Sequence, residues 1–166
     1  MRLRTIYFLT AIFCCGSAAV AQSDWQEYRY SDDHFAISAP QAPKFVDRSP
    51  GYGRLSHVYG VDLGGDRGIA VTVTEVPRNV ASSEMLHEAC VGGAERIRAT
   101  LTGERGAMVS GIGGWTCFYK TAKVQFRSDM TVRDHRLYMI TAVAPLSDTA
   151  FPPETERFIK SFHFAD

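Results

Sequence analysis

"SDDHFAISAPQAPKFV", residues 31–46, decides how the fold is read. Ser31, Asp32 and Asp33 carry short polar side chains that bond nearby backbone groups and favour a turn. Phe35, Ile37 and Ala39 then alternate with Ala36 and Ser38, the period of a half-buried strand. Pro40 has no N–H to give to a ladder, so pairing stops there, and Pro43 keeps the following residues extended. Just upstream, "WQEYRY" (25–30) is rich in aromatics that suit a pleated surface. The stretch predicts a short hairpin followed by a crossing segment anchored by Phe45.

Working outward, two longer strands follow. In "RLSHVYGVDL" (54–63) the residues Leu55, His57, Tyr59 and Val61 share one face. Gly64, Gly65 and Asp66 form a turn. In "GIAVTVTEV" (68–76) Ile69, Val71 and Val73 take one face, and Ala70, Thr72 and Thr74 the other. The period then changes. From Ser82, a natural N-cap, apolar positions Leu86, Cys90, Ala94, Ile97 and Leu101 form one helical stripe, with Glu84 suited to the positive first turn. Gly92 and Gly93 sit inside this helix and mark a place where it lies close to the sheet. Residues 103–114 read as a loop or a weak strand.

Phe126, Ser128, Met130 and Val132 alternate with Gln125, Arg127, Asp129, Thr131 and Arg133, which predicts one core face and one wet face. Asp134–His135 is a tight turn, and "RLYMITAVA" (136–144) returns antiparallel until Pro145. Pro152 and Pro153 open a closing helix carrying Phe158 and Phe162, since first-turn N–H groups are unpaired in any helix. "SFHF" (161–164) suggests a last small strand. Hairpins with one long and one short helix predict an α+β protein, a central antiparallel β-sheet flanked by helices.

The N-terminus predicts export. Arg2 and Arg4 precede a run of about ten mostly apolar residues, too short to span a bilayer, and Ala19-Val20-Ala21 has the small-x-small form of a cleavage site. The expected organisation is a signal peptide over 1–21, cleaved after Ala21, and one domain over 22–166. Localisation would then be periplasmic or secreted, with no stable membrane insertion after cleavage. Removing 21 of 166 residues leaves 16 basic against 18 acidic residues, and so no electrostatic reason to bind nucleic acid.

Cys90 and Cys117 remain after cleavage. In an oxidising compartment such a pair reads first as a disulfide, worth roughly 3 kcal/mol for a separation of 27 residues. Two buried thiols are the alternative, and there is no Cys-x-x-Cys to support a redox role. None of His34, His57, His87, His135 and His163 stands at metal-ligand spacing from another. Asp32-Asp33-His34 reads as a solvated turn before it reads as a cation site. "GIGGWTC" (111–117) lacks the lysine and helix of a phosphate loop, and Ser110 is misplaced for a nucleophile elbow. No cofactor is expected. Arg127, Arg133 and Arg136, with Lys120 and Lys123, make a basic hairpin interrupted by Asp129 and Asp134.

The opening "HFAISAPQAPK" (34–44), the long helix after the middle strands, "RLYMITAVAP" (136–145) and the ending "RFIKSFHF" (157–164) together resemble the PsbP-like and Mog1-like domains, over nearly all of 22–166. The resemblance implies an α-β-α sandwich. It also implies an accessory, assembly or interaction protein rather than an enzyme, and it brings no functional residue with it. The expected function is an exported, non-enzymatic interaction domain with an unidentified protein partner. The expected surface is the wet face of the 125–144 hairpin, bearing Arg127, Arg133 and Arg136, with the 103–114 loop. A small-molecule binder with a pocket near His57 and Trp115 is the rival, and an unrecognised hydrolase the third possibility.

Overall fold

A computed structural model describes residues 25–48, 56–78 and 82–165. The expected signal peptide lies outside them. Strands β1 (Gln26–Tyr30) and β2 (Phe35–Ala39) pair antiparallel, with Tyr30 opposite Phe35. A 3-10 turn over Ser31–Asp33 joins them, closed by His34 in the left-handed region at φ 53°. The two-residue strand β10 (His163–Phe164) lies on the other side of β2, so the first and last segments form a three-stranded sheet.

The larger sheet has seven strands, all antiparallel. They are β3 (Lys44–Arg48), β4 (Ser56–Gly64), β5 (Arg67–Glu75), β6 (Thr100–Val109), β7 (Ile112–Lys120), β8 (Val124–Arg133) and β9 (Arg136–Pro145). Their order is β3-β4-β5-β9-β8-β7-β6. Three of the hairpins close in two residues that both have positive φ: Gly65–Asp66, Ser110–Gly111 and Asp134–His135. That geometry matches the right-handed twist of paired strands.

Of the two readings of 103–114, loop or weak strand, the strand is the one found, and it turns back as a hairpin. Its polar, glycine-rich residues pair through backbone groups with β7, which needs no apolar alternation, and a bulge between Leu101 and Gly103 admits one extra residue.

Helix α1 (Ser82–Arg96) packs on one face of the large sheet. Whether the Ser82 side chain caps it lies outside the described side chains. Leu86, Cys90 and Ala94 bury against Cys117, Tyr119, Met130 and Leu137. The stripe ends sooner than the spacing predicts. Arg98 turns left-handed at φ 53°, Ala99 N donates to Ala94 O, Ile97 is exposed, and Leu101 belongs to β6.

The other face is covered by helix α2 (Pro153–Ser161) together with the small sheet, around Phe35, Ile37, Val71, Tyr138, Ile140 and Phe158. Phe35 is the hub of this core, with ring centroids of Tyr30, Tyr59 and Phe162 at 4.9, 5.2 and 5.8 Å. The expected helix–sheet–helix sandwich thus needs one change: the second outer layer is a short helix plus three strands. Helix α2 also covers the face of β8 that alternation marked as wet. Asp129 and Thr131 are buried there, because the Thr116 and Arg127 side chains satisfy the Asp129 carboxylate and the Thr131 hydroxyl donates to Gly113 O.

Candidate functional site

A Cys90–Cys117 disulfide, Cα–Cα 5.9 Å, ties α1 to β7. Gly93 explains itself locally: a Cβ there would stand 3.3 Å from the Tyr119 hydroxyl. That hydroxyl is buried and, among the described residues, has no hydrogen-bond partner. Burial, and then the Glu104 charge, push the Tyr119 pKa up to about 12. Gly92 is different, since a Cβ there would meet nothing within 4 Å. It still carries a mid-helix cost of about 1 kcal/mol against alanine.

Helix α1 sits over β6, β7 and β8, and a groove of about 480 Å³ opens between it and the β4, β5 and β9 strands. Thr72, Thr74 and Ser56 bring hydroxyls to it, with Ser56 Oγ 2.9 Å from Thr74 Oγ1. Met85, Leu137 and Met139 add apolar surface.

At the far side of α1, Glu104 Oε2 accepts from Trp115 Nε1 at 3.1 Å and lies 3.0 Å from His87 Nδ1. The Trp115 bond, then the His87 bond, hold the Glu104 carboxyl below the usual carboxylate range.

On the opposite face of the sheet, Asp33 is buried at the end of its turn. Its Oδ2 accepts the Tyr59 hydroxyl at 2.5 Å and lies 2.8 Å from His57 Nδ1. Burial, then the Asp33 bond, raise the Tyr59 pKa far above its ordinary value. His57 and Trp115 therefore do not share a pocket. His57 is opposite Val73 in the β4–β5 ladder and faces the aromatic core, whereas Trp115 is opposite Met130 and packs on the α1 side. Strand alternation assigned each to a face, but sequence could not say that these were different faces. Asp33 turns inward, so the Asp32-Asp33-His34 turn does not converge on a cation.

The three arginines of the expected surface are engaged within the protein. Arg127 Nε and Nη2 donate to Asp129 Oδ1 and Oδ2 at 3.1 and 2.9 Å, and Nη1 bonds Glu156 on α2. Thr116 Oγ1 also donates to Asp129 Oδ1, at 2.9 Å. The Arg127 side chain is only 16% exposed. Burial works against its charge, but Asp129 and Glu156 outweigh that and raise its pKa. Arg133 pairs with Asp134 and stacks over Phe164, and Arg136 Nη1 donates to Asp32 O at 2.9 Å.

No family model and no curated protein matches this sequence. Among solved structures, the chain is similar to the solution structure of cyanobacterial PsbP (CyanoP) from Synechocystis sp. PCC 6803. The TM-score is 0.58 and the identity 16%, over 92% of this chain and 98% of that one. The fold is that of PsbP.

In this PsbP fold the large sheet has two open edges. Among the described residues, no strand pairs with the outer side of β3 or of β6. Both edges carry charges of the kind that blunt a sheet edge, Glu104 and Arg105 on β6 and Lys44, Asp47 and Arg48 on β3. The β3 edge carries two adjacent apolar side chains, Phe45 and Val46, 55% and 41% exposed. Phe45 leans on the His57 and Tyr59 rings, with centroids 5.5 and 5.2 Å away. Neither described helix is long and apolar enough to cross a membrane. Sequence reading missed the β3 edge. The signal was present in "KFV" between Pro43 and a polar stretch, since proline often borders an edge strand.

Proposed function

We propose that this chain is an exported, non-enzymatic accessory domain that binds a partner protein in the cell envelope along the outer edge of β3. The observation that carries the proposal is the exposure of Phe45 and Val46 on an edge strand that, among the described residues, has no partner on its outer side. Exposed, apolar edges invite another strand, and natural proteins usually blunt them with charge, proline or a covering element. An extended segment of a partner would add to β3 through main-chain hydrogen bonds, with Phe45 and Val46 reading alternate side chains. The PsbP fold supports the reading, in line with the interaction role that the sequence resemblance implies. So does the placement of Asp33, His57, Arg127 and Asp129, whose polar atoms serve one another inside the fold.

In-cell crosslinking of the tagged chain in its native envelope tests the proposal. The same protein should be captured repeatedly by the wild-type chain and lost with Phe45→Glu. Capture that is indifferent to Phe45→Glu would contradict it.

A further inference from the structure

The groove beside α1 is separate from the β3 edge. We propose that it is a binding site for a short zwitterionic peptide lying extended along the helix. Three observations converge on this ligand class. The first is charge. Glu88 and Arg96 both line the groove, two turns apart, and among the described residues neither has a hydrogen-bond or ion-pair partner. At 1.5 Å per residue, their backbones lie about 12 Å apart along the helix. That is about the span of three to four extended residues. An ammonium group at the Glu88 end and a carboxylate at the Arg96 end would meet complementary charges.

The second is shape. Between those two residues the helix presents Ala89, Gly92 and Gly93, and a side chain at Gly92 would project into open space. The volume of about 480 Å³ falls within the range of small-ligand sites. The third is polarity. Thr72 and Thr74 line the groove together with apolar Met85 and Met139, a mixture suited to a peptide with small apolar side chains. Behind the helix wall, at Gly93, stands the Tyr119 hydroxyl, the one buried side-chain polar atom left without a partner among the described residues.

The test is a titration of the full chain with Ala-Leu-Ala carrying free termini, followed by amide chemical shifts. Saturable shifts are expected at Thr72, Thr74, Gly92 and Gly93, with a dissociation constant at or below about 1 mM. Amidating the C-terminus should weaken binding about fivefold in the wild type and leave it unchanged in Arg96→Gln. Acetylating the N-terminus should behave in the same way toward Glu88→Gln. Gly92→Leu, which puts a good helix former in place of glycine, should abolish the shifts while the spectrum stays dispersed. Shifts of equal size from the doubly blocked peptide, or none up to about 10 mM of the free one, would overturn the proposal.

Discussion

Asp33 Oδ2 accepts the Tyr59 hydroxyl at 2.5 Å and lies within hydrogen-bond reach of His57 Nδ1 at 2.8 Å, so one carboxylate oxygen fastens the turn before β2 to strand β4. This joins the three-stranded sheet to the seven-stranded one. Asp33→Ala would leave the buried Tyr59 hydroxyl unpartnered, and it should cost about 2–3 kcal/mol in urea unfolding. His57→Ala should cost less, because the ring is one-third exposed. A double-mutant cycle of Asp33→Ala with Tyr59→Phe should show clear coupling, and additive losses would mean that the bond contributes nothing.

The disulfide fixes α1 on β7. The double variant Cys90→Ser with Cys117→Ser should lose roughly 3 kcal/mol relative to the oxidised protein, by denaturant unfolding. Its α1 amides should exchange faster with solvent than those of β5. Equal stability with and without reductant would show that the crosslink is not part of the folded protein.

The two helix glycines should respond differently to a methyl group. Gly92→Ala should raise stability by about 0.5–1 kcal/mol, because its Cβ meets open space. Gly93→Ala should gain less or lose, since the Tyr119 hydroxyl stands 3.3 Å from the added carbon. Tyr119→Phe, which removes an unpartnered buried hydroxyl, should restore the gain at position 93. Thermal melts of the four variants decide this.

Arg127 is a structural cation. Arg127→Ala should destabilise by about 3 kcal/mol, because it strands buried Asp129 without its counter-charge. Arg127→Glu should be worse, with three acids meeting under α2. Loss of partner binding in such a variant would report unfolding rather than an interface, and circular dichroism beside any binding assay separates the two.

Tyr30 and Tyr119 are held protonated by burial up to about pH 12, and Tyr59 further still. Each folded pKa lies above the ordinary value near 10. The unfolded chain therefore loses these protons first, so stability is full below about pH 10 and falls as pH rises toward 12. Tyrosinate absorbance should include a component that rises together with loss of near-ultraviolet dichroism. Titration of all tyrosines near pH 10 in a chain that stays folded would contradict this.

Sequence pattern carried most of the fold. Alternation in 68–76 and 136–144 marked β5 and β9, and Asp134–His135 marked their neighbour's turn. The shift of period at Ser82 marked α1. Alternation failed at Arg127 and Asp129, because a buried ion pair is indistinguishable from a wet face until something is seen to cover it. It left 103–114 undecided between loop and weak strand, since an edge strand made by backbone pairing shows no apolar rhythm. The Cys90–Cys117 disulfide was legible as the first reading of the two cysteines left after the expected cleavage. The groove beside α1 was not, because the offset of the helix across the sheet is set by packing between distant segments.

The measurement that bears most directly on the proposed function is photocrosslinking from a reactive residue placed at position 45, in the cells that make this protein. A control probe sits at Lys120, at the other end of the sheet. An adduct with one reproducible protein from position 45 and none from position 120 is the expected result. Equal adducts from both positions, or none from position 45, would contradict an interaction through the β3 edge.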